Sequence, residues 1–132
     1  MRTRPALTLA DCKKIAAAAE AEAVKNNWQV SVAILDDGGN VLHLFRMDGA
    51  NRLTPEIATQ KGRTAALTGR ASKSWEDRIK DGRLAMLRMP VLPVQGGLPI
   101  VHEGECVGGV GVSGVQSHED EQIAQAGIAA LK

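Results

Sequence analysis

The stretch from Val107 to Gly114, VGGVGVSG, decides the fold, because small residues alternate with valines along it. Successive side chains of an extended strand point to opposite faces, so Gly109, Gly111 and Ser113 share one face with Val107, and Val110 and Val112 share the other with Gly108. The nearly bare face carries Gly109, Gly111 and Ser113. Glycine inside a strand is typical of a place where a second backbone or a ligand approaches closely. The sequence leaves both interpretations open, a packed helix and a flat ligand.

The same stretch matches the G-x-G-x-x-G pattern of dinucleotide-binding proteins, at Gly109, Gly111 and Gly114. In those proteins a further parallel strand follows the helix, and an acidic residue lies about 20 positions after the glycines. The residues that follow Gly114 here have the pattern of one helix and no further strand. We therefore expect neither a nicotinamide nor a flavin cofactor.

Composition and charge exclude several classes of protein. The 132 residues carry 16 basic and 15 acidic side chains, a net charge of +1, so no global field would attract nucleic acid or an anionic membrane. With two tryptophans, one phenylalanine and no tyrosine, a platform for stacking single-stranded bases is poorly supported. No run reaches the roughly 18 apolar residues that span a bilayer. We expect one domain over 1–132, in the cytoplasm, that binds neither nucleic acid nor membrane.

Hydrophobic periodicity and turn signals predict an α+β protein. Helices are predicted over about 9–25, 55–68 and 75–87 and from Ser117 onward, and strands over 29–35, 41–47, 98–102 and 106–113. Thr8 and Asp11 have the spacing of a capping box, and 36–40, DDGGN, predicts a hairpin turn. The predicted order is close to α-β-β-α-α-β-β-β-α, which has one strand more than these four ranges. Such hairpins with separate helices predict an antiparallel sheet with helices packed on it.

The Arg46 and Asp48 pair is the clearest candidate for chemistry. Both side chains lie on the same side if the strand continues through them, so a surface ion pair is one interpretation. In the other, Arg46 binds a carboxylate or phosphate through its planar guanidinium while Asp48 orients it. Lys61 and Arg63 on the next predicted helix either add to such an anion site or are only solvated.

The three histidines and two cysteines show no metal-site spacing. His43, His102 and His118 form neither an i, i+4 pair nor an H-E-x-x-H motif. His43 shares a strand face with Phe45, so it is either a ligand to a cofactor iron or an ordinary hydrogen-bonded histidine. Cys12 and Cys106 are expected to be buried free thiols.

Five segments, taken together and in this order, resemble the GlcG/HbpS family, which is also described as haem-binding-protein-like and as similar to the C-terminal domain of PduO adenosyltransferases. They are 32–40 VAILDDGGN, 46–50 RMDGA, 61–65 KGRTA, 95–100 QGGLPI and 107–114 VGGVGVSG. The resemblance implies a profilin-like α/β sandwich with a five-stranded antiparallel sheet flanked by helices. It also implies homo-oligomers, binding of haem or a related tetrapyrrole, and gene neighbourhoods in glycolate, diol or aromatic-compound catabolism.

The sequence departs from the family pattern in three ways. Gln95 replaces a proline common before the Gly-Gly pair, and Gly62 replaces an alanine usual after the helix-two lysine. PduO-like members use a helix-one histidine for haem, and the first predicted helix here contains none.

The leading hypothesis is a small oligomeric protein that binds haem or another tetrapyrrole and is associated with catabolism. Arg46 and Lys61 would contact the propionates, and His43 is the candidate iron ligand. The remaining candidate ligand-binding residues are Asp48, Gly97, Gly109, Gly111 and Ser113.

Two alternatives remain open. In the first, the chain is a small catabolic enzyme or enzyme accessory that acts on a carboxylate-bearing metabolite, with Asp48 or Glu103 as the base and Arg46 as the carboxylate clamp. In the second, the chain is a structural assembly module without a ligand.

Overall fold

A computed structural model describes residues 1–132. Its α-helices are α1 (Leu9–Lys25), α2 (Thr54–Thr68), α3 (Ser72–Lys80) and α4 (Ser117–Ala129), and a 3-10 helix covers Leu84–Arg88. Its strands are β1 (Ser31–Asp36), β2 (Val41–Arg46), β3 (Gly97–His102) and β4 (Glu105–Ser113). No helix has both the length and the apolar character needed to cross a membrane.

The four strands form one antiparallel sheet in the order β2-β1-β4-β3, which confirms the α+β prediction. The expectation of five strands was wrong, because the sheet has four. Between the 3-10 helix and β3 the chain makes turns and no ladder. Pro90 and Pro93 lie there, and neither has the N–H group that a strand donates to its neighbour.

Two helix layers cover the sheet. α1 and α4 pack on one face of the sheet. There they enclose the main core together with buried side chains of β1, β3 and β4. That core includes Ile15, Val32, Ile34, Val110, Val112 and Ile123, each fully buried. α2 packs on the opposite face, over β4, β1 and β3, and makes few contacts with β2. The edge strand β2 is therefore the part of the sheet that α2 covers least.

The bare face of β4 is filled by the backbone of α2. A Cβ atom on Gly111 would collide with the carbonyl oxygen of Ala58 and the amide nitrogen of Gly62, and one on Gly109 would collide with the carbonyl oxygen of Gly62. Gly62 meets the sheet in the same way, since its own Cβ would lie 2.9 Å from the Gly111 nitrogen. Of the two interpretations of this face, the structure shows the packed helix.

The structure confirms the predicted capping box and hairpin turn but shortens the third predicted helix. The capping box is present, since the Asp11 N–H donates to the Thr8 hydroxyl over 3.1 Å, and Gly39 turns the first hairpin at φ +80. The third helix was predicted over 75–87, but α3 ends at Lys80. Gly82 adopts φ +98, a left-handed conformation that a continuing right-handed helix cannot contain.

Candidate functional site

The candidate residues divide between two opposite ends of the sheet. At the Arg46 end, Arg46 lies opposite Ser31, which in turn lies opposite Ser113. The hairpin end holds the β1–β2 turn and the β3–β4 turn with Glu103. β4 has nine residues, and at about 3.3 Å per residue its ends are roughly 26 Å apart. Glu103 therefore cannot act as a base on a carboxylate held by Arg46 of the same chain.

Arg46 and Asp48 are both exposed and form no ion pair with each other, so the surface ion pair is not what the structure shows. Arg46 points to the α2 side of the sheet. Its cross-strand neighbour Ser31 faces that side, where the Ser31 and Thr54 hydroxyls are hydrogen-bonded over 2.8 Å. The Arg46 guanidinium is therefore available to an external anion.

An apolar strip leads up to Arg46 along the edge strand. Leu44 faces the α2 side, because its partner Ala33 is buried beneath that helix, yet Leu44 is 43% exposed. Leu42, the unpaired residue of a bulge between His43 and Val41, is 38% exposed. We call Leu42, Leu44 and Arg46 together the β2 surface. It combines apolar side chains with one unpaired cation.

His43 lies on the other side of the same strand. It pairs with Ile34, whose side chain belongs to the core beneath α1 and α4, and it is half-buried beside Phe45. His43 and Arg46 therefore project from opposite faces of β2. No group of three His, Cys, Asp or Glu side chains is close enough to hold a metal ion.

Lys61 is part of a buried ion pair and does not reach the surface. Its Nζ donates to the Asp120 carboxylate over 3.0 Å and to the Val112 carbonyl oxygen over 3.0 Å, and its side chain is 3% exposed. The Val115 N–H donates to the second carboxylate oxygen of Asp120 over 3.1 Å. The pair joins α2, β4 and α4, so the Lys61 ammonium group is directed into the interior and not toward Arg46 at the surface.

Burial of the ion pair changes the pKa of Asp120. Removal from water raises the pKa of Asp120 above its usual value, while the Lys61 charge and the hydrogen bonds from Lys61 and Val115 act in the opposite direction. Desolvation is the larger effect. The pair is thus held together by geometry that must compensate for two charges withdrawn from water.

Two further candidates, Gly97 and Ser113, also lie inside the protein. A Cβ on Gly97 would collide with the Lys61 carbonyl, and the Gly97 N–H donates to the buried Ser72 hydroxyl over 2.9 Å. Ser113 is 9% exposed at the end of β4. Of the predicted ligand-binding residues, the structure leaves Arg46 and Asp48 at the surface.

Comparison with known families gives a match over almost the whole chain. Residues 7–129 match the family model described as haem degrading protein HbpS-like. Protein GlcG of Escherichia coli strain K12 is 43% identical over 114 residues, which cover 86% of this chain and 85% of GlcG.

Solved structures agree with that match. A double mutant of Streptomyces reticuli HbpS superimposes with a TM-score of 0.91 at 33% identity, covering 100% of this chain and 91% of HbpS. A structure described as a PduOC haem complex gives a TM-score of 0.86 at 30% identity, covering 96% of this chain and 95% of PduOC.

Proposed function

Because the chain belongs to the HbpS-like family, we propose that it is a haem-binding protein. The observation that carries this proposal is the match to PduOC, a protein solved with haem, over 96% of this chain. The candidate contact on this chain is the β2 surface. It is the one predicted ligand region that α2 leaves uncovered and that also carries an unpaired cation.

The chemistry of the β2 surface suits an amphipathic ring. A tetrapyrrole is flat and apolar over most of its area, and its propionates are carboxylates at one edge. Leu42 and Leu44 offer exposed apolar side chains, which gain about 25 cal/mol for each Å² removed from water. Arg46 can hold a carboxylate by two parallel hydrogen bonds from its planar guanidinium. Asp48, two residues further on, can orient that guanidinium.

A second copy of the chain would complete the site. A ring on the open face of an edge strand keeps its other side in water, and His43 of the same protomer points away from it. We therefore place the chain in a homo-oligomer in which one copy provides the β2 surface and another provides His43 as the iron ligand. The same assembly accounts for exposed leucines on an otherwise unprotected sheet edge.

The role of Arg46 is tested by titrating haemin and following the Soret band. Arg46→Ala is expected to raise Kd about tenfold, because a hydrogen bond to a charged group contributes about 1.5 kcal/mol or more. Arg70→Ala, at an exposed arginine beyond the end of α2, is the matched control. It should change the Kd for haemin by no more than about twofold. An Arg46→Ala variant that binds haemin like the unmodified protein would rule out the β2 surface.

The role of His43 is tested separately by the absorption spectrum of the ferric complex. His43→Ala is expected to remove the imidazole ligand and change the spin state of the iron, while His118→Ala, at an exposed histidine of α4, leaves the spectrum unchanged. Size-exclusion chromatography of both variants shows whether assembly is intact. An unchanged His43→Ala spectrum would assign the iron to another ligand.

A catabolic enzyme remains the second candidate, on the observation that Arg46 and Asp48 are exposed at the same end of the sheet and neither is ion-paired with the other. In that role Arg46 would clamp the substrate carboxylate and Asp48 would accept a proton. Thermal stabilisation by small organic acids and not by haemin would favour this function. A protein stabilised by neither ligand would instead be an assembly module.

A further inference from the structure

A cavity lies at the hairpin end of the sheet, far from the β2 surface. It has a volume of about 240 Å³ and opens between the segment before α1, the end of β3 and the end of α4. Its walls are mostly apolar and include Ile100, Val107, Ile128 and Leu131. We call it the His102 cleft, because the His102 imidazole stands at its rim.

A polar depression adjoins the cleft. Thr3, Arg4, Glu103 and Glu105 line it, with a volume of about 430 Å³, and it shares Pro5 and His102 with the cleft. His102 is 59% exposed, and its Nε2 lies 3.8 Å from the Glu103 carboxylate. The apolar cleft and the polar depression therefore meet at the His102 imidazole.

The charges around this junction are mainly negative. Glu103 and Glu105 are exposed in the depression, and Asp11 lines the cleft, where one of its oxygens accepts the Thr8 N–H. The charge of Arg4 is already balanced, because its guanidinium is 3.1 Å from the Asp37 carboxylate. The remaining ammonium group is that of Lys132. Three carboxylates against one free ammonium favour a cationic ligand.

From this arrangement we propose that the His102 cleft binds a small primary amine with an apolar body. The body lies against Ile100, Val107 and Leu131, and the ammonium group reaches the carboxylates of the depression past His102. A drug-sized ligand needs about 300–1,000 Å³. The cleft is smaller, so it suits a molecule with a single ring or a short alkyl chain.

This site is independent of haem. His102 lies on β3 and His43 and Arg46 lie on β2, which are the opposite edges of the sheet. Three strand spacings of about 4.8 Å separate the two edges, and the cleft is also at the other end of the strands from Arg46. Failure of haemin to bind therefore leaves this inference standing, and the reverse also holds.

Calorimetry with phenethylamine tests the inference. Saturable binding is expected, and 3-phenylpropionate, with the same ring and the opposite charge, should bind at least about tenfold more weakly, as should ethylamine, which has the charge without the ring. Phenethylamine that fails to saturate at millimolar concentration would overturn the proposal. So would 3-phenylpropionate that binds equally well.

Two variants assign the binding to this cleft. Glu105→Gln should weaken phenethylamine binding about threefold to fivefold, the range of one exposed ion pair. Leu131→Ser, which removes part of the apolar wall at a partly exposed position, should weaken it about fivefold or more. Glu20→Gln, at an exposed carboxylate of α1, is the control and should have no effect. Equal binding by all three variants, with unchanged thermal unfolding, would place the amine elsewhere and contradict the proposal.

Discussion

Replacing Lys61 by methionine is expected to lower the free energy of unfolding by about 3–5 kcal/mol at neutral pH, because it leaves the buried Asp120 carboxylate without its cation. Methionine keeps most of the length of the side chain, so the loss reports the charge more than the packing. Urea unfolding at constant pH measures it. The exposed pair Lys73 and Asp77 is the matched control, and Lys73→Met should cost about 1 kcal/mol or less.

The stability lost in Lys61→Met should depend on pH, and the titration of Asp120 determines the direction of that dependence. Its pKa in the folded protein is raised above the usual 3.8, chiefly by burial, so the folded state holds this proton more tightly than the unfolded state. Such a group contributes stability below the unfolded pKa and loses that contribution as pH rises through the folded pKa. Without Lys61 the pKa rises further, so the deficit of Lys61→Met should be smallest near pH 4 and grow toward neutrality.

A double variant tests whether the unpaired Asp120 charge causes the loss of stability. Lys61→Met combined with Asp120→Asn removes both charges, so it should recover a large part of the lost stability and abolish the growth of the deficit with pH. A Lys61→Met deficit that is the same at pH 4 and pH 7 would show that the ionised Asp120 is not its cause.

Gly111→Ala is expected to destabilise the fold by about 3 kcal/mol or more, at the upper end of overpacking effects. The new methyl group would collide with backbone atoms of Ala58 and Gly62, and backbone has no rotamer through which it could give way. α2 would have to lift from β4 along the line of its closest contact. The free energy from chemical denaturation measures the effect.

The control for Gly111→Ala is Gly38→Ala in the hairpin turn. A Cβ there meets side-chain atoms, at 3.1 Å from Asn40 Nδ2 and 3.4 Å from Asp36 Oδ1, and both can adjust. We expect a change of about 1 kcal/mol or less. If Gly111→Ala proved as stable as Gly38→Ala, the close seating of α2 on β4 would be refuted.

The sequence pattern of β4 predicted its strand and its bare face, but not what covers that face. Alternation reports which side chains share a side. It carries no information on whether a helix or a ring approaches, because both need the same absence of Cβ atoms. Gly62 was the signal for the helix, since a second glycine on the facing element lets two backbones meet.

Lys61 was misread for a similar reason. Long charged side chains are mostly exposed, so a lysine on a helix predicts a solvated or ligand-facing group. Its partner Asp120 is 59 positions away, and no local pattern connects them. The spacing did hold a clue, because the buried α2 residues Ala58, Lys61 and Ala65 recur at intervals of three and four.

The strand count and the length of the third helix are two parts of the predicted fold that the structure corrects. Gly82 lies inside the predicted helix 75–87, whereas its left-handed φ ends the helix before it. The five-stranded sheet was implied by family resemblance, and the chain forms four strands. By contrast, the capping box at Thr8 and the turn at Gly39 depend on neighbours within a few residues, so sequence alone was sufficient for them.

Amide chemical-shift mapping with gallium protoporphyrin IX, a diamagnetic analogue of haem, tests the haem proposal most directly. It reports binding and its location in one experiment. The account predicts saturable shifts concentrated on Leu42, Leu44, Arg46 and Asp48 and at His43, the proposed ligand from the second copy, with the residues around His102 unaffected. Absence of saturable shifts, or shifts confined to the His102 cleft, would contradict it.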